Sequence, residues 1–314
     1  MKQIVLSMLL GAMAIPCTAQ VQDLKFFKLV GVNGGSVAND CYINDNGTVA
    51  ASIRYDQGGV SLDQAYQLNN GKTEILPHLP GYVRSIVKGI NNQGEILGRL
   101  SGGGQSDFAV VVWKNKIPTP VVLPSASHPA NRQVPTPIAI DNAGRILVNI
   151  LELNPANQTV SQDYFLLQGS AAAKLPPLLP GGPVSNVYFY AYTSMNNTGS
   201  IAGFAQVTRL GQLRIIGFIL KNGVFQEVLV DDLFGVRGIN QKGEVFGDRF
   251  DGSFFVWRNG QVDLFPRLMV STLVTTSSFN NRSETCASVR IFQDVPGAVR
   301  ENAIVSFGGK GPNQ

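Results

Sequence analysis

The sequence predicts an all-β protein in which a four-stranded unit is repeated, and three observations lead to this prediction. A short phrase, clearest as GINNQGEILG at 89–98 and GINQKGEVFG at 238–247, occurs six times at intervals of 40 to 55 residues. A second apolar phrase follows each copy by roughly twenty residues. Neither phrase has the spacing of apolar residues that an amphipathic helix requires. The repeat is therefore built from strands.

The first phrase predicts two strands joined by a tight turn. An apolar residue precedes an Asn or Asp, two polar residues follow, and a Gly leads into another apolar run. Asn or Asp at the first turn position accepts a bond from the backbone two residues on, and Gly takes the positive φ of such turns. We call the six Asn or Asp positions the anchors: Asn44, Asn91, Asp141, Asn196, Asn240 and Asn280. Three residues after them come Gly47, Gly94, Gly144, Gly199, Gly243 and Ser283.

The second phrase adds a third strand, and a short apolar stretch after it adds a fourth. Each third strand carries a large residue near its end: Leu68, Trp113, Leu167, Leu220, Trp257 and Phe307. Four strands in 40 to 55 residues are typical of a β-propeller blade, so the sequence predicts six blades of about four antiparallel strands. A β-solenoid is the competing interpretation, but its coils are usually shorter.

Both ends of the chain point to closure of the ring. The last copy ends after its third strand, whereas the segment before the first copy resembles the linker strand that precedes later copies. We therefore expect residues near Leu24 to Leu29 to complete the last blade. Cys41 and Cys286 fall in the first and last copies. A disulfide across the closing interface is one interpretation; without Cβ geometry, two buried free thiols are the simpler one.

The repeats also resemble a known family. The resemblance rests on the pairing of 89–98 with 108–115, of 194–203 with 217–223 and of 238–247 with 254–260, and on the linkers LPG at 79–81 and LPGG at 179–182. Together these are similar to the HAF repeat of predicted bacterial extracellular proteins. Ala51, Val148 and Ala287 depart from the glycine of this pattern. The resemblance implies a propeller-like fold and an extracellular location, and it supplies no catalytic residues.

The N-terminus predicts export. Residues 1–19 combine Lys2, an apolar core and small residues before Gln20, which is typical of a secretory signal, so one domain is expected over 20–314. Cys17 suggests a lipoprotein, but Pro16 fits that cleavage poorly. No later apolar run is long enough to span a membrane. We expect a secreted or periplasmic monomer.

Charge and motifs exclude several classes of function. Residues 20–314 hold 24 basic and 21 acidic residues, dispersed along the chain, which argues against nucleic-acid binding despite the pI near 9. Serine elbows, paired zinc histidines and phosphate loops are absent from the sequence. The two histidines, His78 and His128, both follow Leu-Pro pairs. The sequence indicates no third ligand with which these two histidines could bind a metal. We therefore predict that both are polar loop residues and that the protein uses no metal or cofactor.

Arginines supply the sequence-based candidate for a ligand site. Four lie eight to ten residues after an anchor: Arg54, Arg99, Arg249 and Arg290. A ring of guanidinium groups at one end of a propeller would bind carboxylate or sulfate groups, although solvated strand ends are the plainer interpretation. We expect a binding module for an acidic cell-surface glycan or an envelope protein. The enzymatic alternative is a polysaccharide hydrolase or lyase that uses Asp56, Asp248 or Asp251.

Overall fold

The fold is a six-bladed β-propeller, as the sequence predicts. The computed structural model describes residues 20–27, 36–102, 108–177, 184–209, 211–265, 271–291 and 299–308, and these residues form six four-stranded antiparallel sheets. The predicted signal segment lies outside them. The described part of the chain contains no helix long and apolar enough to cross a membrane.

Each blade follows the chain from an inner to an outer strand. Blade 1 is β2 (Ser36–Ile43), β3 (Val49–Gln57), β4 (Val60–Asn69) and β5 (Lys72–Ile75). Blade 2 is β6 (Tyr82–Ile90), β7 (Ile96–Gly102), β8 (Phe108–Lys114) and β9 (Ile117–Pro120). Blade 3 is β10 (Arg132–Ile140), β11 (Ile146–Leu153), β12 (Thr159–Gln168) and β13 (Ala171–Lys174).

The second half of the ring repeats this order. Blade 4 is β14 (Val184–Met195), β15 (Ile201–Arg209), β16 (Gln212–Lys221) and β17 (Val224–Val228). Blade 5 is β18 (Leu233–Ile239), β19 (Val245–Arg249), β20 (Phe254–Arg258) and β21 (Gln261–Phe265). Blade 6 is β22 (Ser271–Phe279), β23 (Glu284–Ile291) and β24 (Val299–Gly308), completed by β1 (Gln20–Phe27).

Closure follows the predicted scheme. Strand β1 pairs antiparallel with β24, from Gln20 opposite Gly308 to Phe27 opposite Asn302, with one register shift. The sheet order is β1-β24-β23-β22, so the N-terminal strand is the outermost strand of the last blade. Residues 28 and 29 of the predicted closing stretch lie outside the described residues.

The predicted turns are present in every blade. The anchor Oδ1 accepts hydrogen bonds from the backbone N–H groups two and four residues later in all six copies. The turn glycines have φ between 72° and 83°, and Ser283 has φ 58°. The left-handed backbone explains why glycine occupies this position in five of the copies.

The hydrophobic core lies between blades. One cluster joins Ala65 and Leu76 of blade 1 to Val87, Ile96 and Trp113 of blade 2. Similar clusters join blades 2 and 3, 3 and 4, and 4 and 5. Each buried aliphatic or aromatic side chain contributes roughly 1.5–3 kcal/mol, so the five blades joined in this way depend on their neighbours for stability.

A disulfide joins Cys41 on β2 to Cys286 on β23, which corrects the expectation of free thiols. The two Cα atoms are 5.5 Å apart, within the range that a disulfide spans. Both residues are buried with Ile43, Ala51 and Ile53. Ring closure creates this proximity across 245 residues of sequence, so local patterns could not decide between thiol and disulfide.

Candidate functional site

The anchor turns of all six blades meet at one end of the propeller. The inner strands β2, β6, β10, β14, β18 and β22 each end directly before an anchor. Residues from all six blades line a cavity of about 70 Å³ at this point. We call this end the mouth. The opposite end carries the turns between second and third strands, because the second strands run away from the mouth.

Buried anchor side chains connect neighbouring blades around the mouth. The Nδ2 group of each anchor asparagine donates to the backbone carbonyl oxygen of the anchor in the next blade, a contact that was not expected from the sequence. The bonds are Asn44 to Asn91 (3.0 Å), Asn91 to Asp141 (2.9 Å), Asn196 to Asn240 (2.9 Å), Asn240 to Asn280 (3.4 Å) and Asn280 to Asn44 (3.2 Å). Five of the six seams are linked in this way.

The sixth seam, between blades 3 and 4, has a different contact. The anchor there is Asp141, which has no amide to donate, and its Oδ2 lies 2.6 Å from Nε of Arg145. The guanidinium of Arg145 packs against Gly199 of blade 4, where an added Cβ would approach its Cζ to 2.9 Å. A charged group therefore replaces the amide link at this seam.

The residues after the anchors form a second polar ring at the mouth. They are Asp45, Asn92, Asn142, Asn197, Gln241 and Asn281. In four cases the backbone N–H of one member donates to the side-chain oxygen of the next: Asp45 to Asn92, Asn92 to Asn142, Gln241 to Asn281 and Asn281 to Asp45. The Asp45 carboxylate also accepts from Nδ2 of Asn92 (2.7 Å) and of Asn281 (2.6 Å).

The second ring is incomplete on both sides of blade 4. Within the described chain, the side chains of Asn197 and Gln241 form no hydrogen bond to protein, although both are only partly exposed and both line the cavity. A carboxamide offers two N–H donors and one carbonyl acceptor. On blades 4 and 5 the mouth therefore presents uncharged hydrogen-bond donors and acceptors that bond no other described residue; we call them the uncommitted groups.

The arginines predicted as ligand residues lie on second strands. Arg54 pairs with Asp63 (2.9 Å), and this hydrogen bond raises the pKa of Arg54. Arg99 lies over the ring of Phe108. Each thus interacts within its own blade.

Arg249 and Arg290 complete the predicted set. Arg249 pairs with Asp251 (3.0 Å) and more weakly with Asp232 (3.5 Å), again within its own blade. Arg290 is on β23, and its side chain is outside the described part. The role of the four arginines in binding an anion stays a prediction.

The acids of the enzymatic alternative are engaged away from the mouth. Asp56 accepts from the hydroxyl of Ser61, and Asp248 forms a forked pair with Arg237. Asp251 accepts from Ser253, which lowers the pKa of that carboxyl. Asp45 is the single carboxylate among the described residues that line the mouth cavity. No second carboxylate among these described lining residues therefore stands beside Asp45 to form the pair that glycoside hydrolysis uses.

The histidines take the polar positions predicted for them. His78 Nε2 lies 2.8 Å from the Ser85 hydroxyl, and burial lowers the pKa of this histidine. His128 Nδ1 accepts from the backbone N–H of Ala130. Over the part of the chain that the structure describes, His, Cys, Asp and Glu side chains form no group of three or more that could hold a metal ion.

Known structures with a similar fold are propellers with little sequence in common. The β-propeller domain of the Trilobed protease from Pyrococcus furiosus has a TM-score of 0.53 and 9% identity, over 88% of this chain and 94% of that one. Its topology is an open velcro, whereas here β1 pairs with β24. At this identity the similarity shows the fold alone.

Two further structures cover most of this chain. An acylaminoacyl peptidase has a TM-score of 0.49 and 10% identity over 87% of this chain, which corresponds to 51% of its own length. The polysaccharide lyase Uly1 has a TM-score of 0.47 and 10% identity over 87% of this chain and 77% of its own. The sequence matches no protein-family model and no curated relative. The HAF-repeat resemblance therefore stays a prediction.

Substitution Asn91→Asp is expected to destabilise the ring by about 1–3 kcal/mol. It keeps the Oδ1 acceptor of the turn but removes the Nδ2 bonds to Asp141 (2.9 Å) and Glu95 (2.8 Å), and it places two carboxylates together. Urea unfolding measures the change. Asn154→Asp is the matched control, because Asn154 forms the same local turn at the opposite end, where Gln158 is the one described residue that its Nδ2 bonds. Equal effects of both substitutions would contradict the inter-blade role.

Proposed function

We propose that this protein is an exported binding module whose ligand site is the mouth of the propeller. The observation that carries the proposal is the pair of uncommitted carboxamides, Asn197 and Gln241, beside a cavity that all six blades line. Backbone hydrogen bonds close the turns that carry these residues, so binding requires little ordering. Export is supported by the predicted signal segment and by the buried disulfide, which persists in oxidising compartments.

A neutral, hydroxyl-rich ligand such as a cell-surface glycan fits this mouth best. Carboxamide groups match sugar hydroxyls, because both donate and accept hydrogen bonds without net charge. The Asp45 carboxylate lies in the same ring and disfavours an acidic sugar at this end. The arginine residues on the second strands provide a separate hypothesis for acidic glycans, which the same experiment distinguishes.

The test compares binding of neutral and acidic oligosaccharides by isothermal calorimetry. Asn197→Ala and Gln241→Ala are each expected to weaken binding of a neutral oligosaccharide about threefold to tenfold, which corresponds to the loss of one ordinary hydrogen bond. Asn154→Ala is the control at the opposite end and should leave the Kd unchanged.

The variant Arg54→Ala/Arg249→Ala tests the separate hypothesis. It should not alter binding of the neutral sugar if the mouth is the site. An unchanged Kd in both mouth variants contradicts the proposal, and selective loss of acidic-sugar binding in the arginine variant would assign the ligand face to the opposite end.

A further inference from the structure

Two phenylalanines are exposed together at the end of blade 5 that is opposite the mouth. Phe234 lies near the start of β18 and is 46% exposed, whereas Phe250 follows β19 and is 64% exposed. Their ring centroids are 5.3 Å apart in an edge-to-face arrangement. Exposed aromatic rings that contact each other on a folded surface are typical of a binding site for a partner.

The backbone holds this aromatic pair in place. The N–H of Phe250 donates to the carbonyl of Asp232 (2.9 Å), which joins the turn after β19 to the segment before β18. Within the turn, the N–H of Arg249 donates to Ser253 and that of Gly252 donates to Arg249, both at 3.0 Å. A preformed turn loses little conformational entropy when a partner binds.

Among the residues that the structure describes here, the exposed charges beside the rings are carboxylates. Asp232 and Asp251 have side chains that are 75% and 55% exposed, whereas their common partner, Arg249, is only 15% exposed. Asp231 is also exposed. Within residues 231–234 and 249–253, three carboxylates against one guanidinium leave a formal charge of −2. The bond from Ser253 lowers the pKa of Asp251, so this carboxyl stays ionised at neutral pH.

A cation already contacts one of these rings. The guanidinium carbon of Arg237 lies 5.8 Å from the centroid of Phe234, and Arg237 is itself paired with Asp248. The pair is neutral overall, so it does not offset the surplus of carboxylates. Phe250, at the tip of the turn, keeps most of its ring open to an incoming group.

We propose that residues 231–234 and 249–253 form a docking surface for a basic segment of a partner protein that alternates cationic and apolar side chains. Lysine or arginine of the partner would pair with Asp232 and Asp251 and lie over the Phe250 ring, and apolar side chains would cover both phenyl groups. This interaction is separate from ligand binding at the mouth. On this proposal, the surface around Arg249 attracts cations.

The test uses a short fluorescein-labelled peptide of alternating lysine and leucine, with a glutamate–leucine peptide of equal length as its counterpart. Fluorescence anisotropy should show the basic peptide bound at least tenfold more tightly. Phe250→Ala and Asp232→Asn/Asp251→Asn should each weaken its binding at least fivefold, and about 0.5 M salt should weaken it in the wild type.

Controls keep the result specific to this surface. Ile117→Ala removes an apolar side chain of similar exposure, 67%, from the outer strand of blade 2 and should leave peptide binding unchanged, as should Asn197→Ala at the mouth. Thermal midpoints of all variants establish that they are folded. Equal binding of both peptides, or binding that neither surface variant alters, would overturn the proposal. The proposal would also be overturned if Phe250→Ala abolished oligosaccharide binding and the basic peptide bound no better than the acidic one.

Discussion

Deletion of Gln20–Phe27 is expected to destabilise the whole propeller and not merely to shorten it. Strand β1 satisfies the outer edge of β24 from Gly308 to Asn302, and without it a blade loses one of four strands. Several lost backbone hydrogen bonds, each worth about 0.5–1.5 kcal/mol, together remove about 4 kcal/mol or more. The exposed edge of β24 would also favour aggregation.

Urea unfolding and limited proteolysis measure this effect. We expect a lower midpoint and faster cleavage for the truncated protein, under both oxidising and reducing conditions. The disulfide between Cys41 and Cys286 keeps blades 1 and 6 connected in the oxidised protein. The deletion should therefore lower the stability of the oxidised form less than that of the reduced form. A synthetic peptide of residues 20–27, added in trans, should restore part of the stability. A midpoint equal to that of the full-length protein would contradict closure by β1.

Replacement of Gly98 by valine is expected to cost about 3 kcal/mol, at the upper end for overpacking of a core. A Cβ at this position would lie 2.5 Å from the Trp113 ring and 2.6 Å from the carbonyl oxygen of Ile86. Gly203 and Gly247 are crowded in the same way, by Phe218 and Phe255. The glycine leaves room for an aromatic side chain of the third strand.

Thermal or urea unfolding of Gly98→Val, with a double-mutant cycle, tests this explanation. Gly98→Ala combined with Trp113→Leu should destabilise less than the sum of the single changes, because the smaller side chain makes room for the new methyl group. Additive effects would show that the aromatic ring is not the cause. Ala51, Val148 and Ala287 occupy this repeat position in blades 1, 3 and 6. Whether the position requires glycine therefore differs from blade to blade.

The local features of the fold could be predicted because they depend on neighbouring residues. An anchor Asn, its two backbone bonds and the left-handed glycine lie within five residues of sequence, so each hairpin is encoded where it forms. Six such copies at intervals of 40 to 55 residues led directly to the number of blades. The last copy of the repeat has only three strands, which likewise indicated that an N-terminal strand closes the ring.

The candidate site could not be predicted, although one signal was present. Five of six anchors are asparagine, and the turn alone would accept aspartate equally well, as Asp141 shows. Only asparagine can donate, so the preference indicated a second partner outside the hairpin. The arginine spacing directed attention to the opposite end, where Arg54 and Arg249 are paired within their own blades.

The sequence by itself determined the strands, the turns, the six repeats and the strand that closes the ring, because short-range hydrogen bonding and apolar patterning encode them. Only the tertiary structure decided that Cys41 and Cys286 form a disulfide and that the anchors link five of the six seams. It alone also placed the uncommitted groups of Asn197 and Gln241 beside the cavity. The physical reason is that these contacts join residues some forty or more positions apart, so their distances depend on how all six blades pack around the axis.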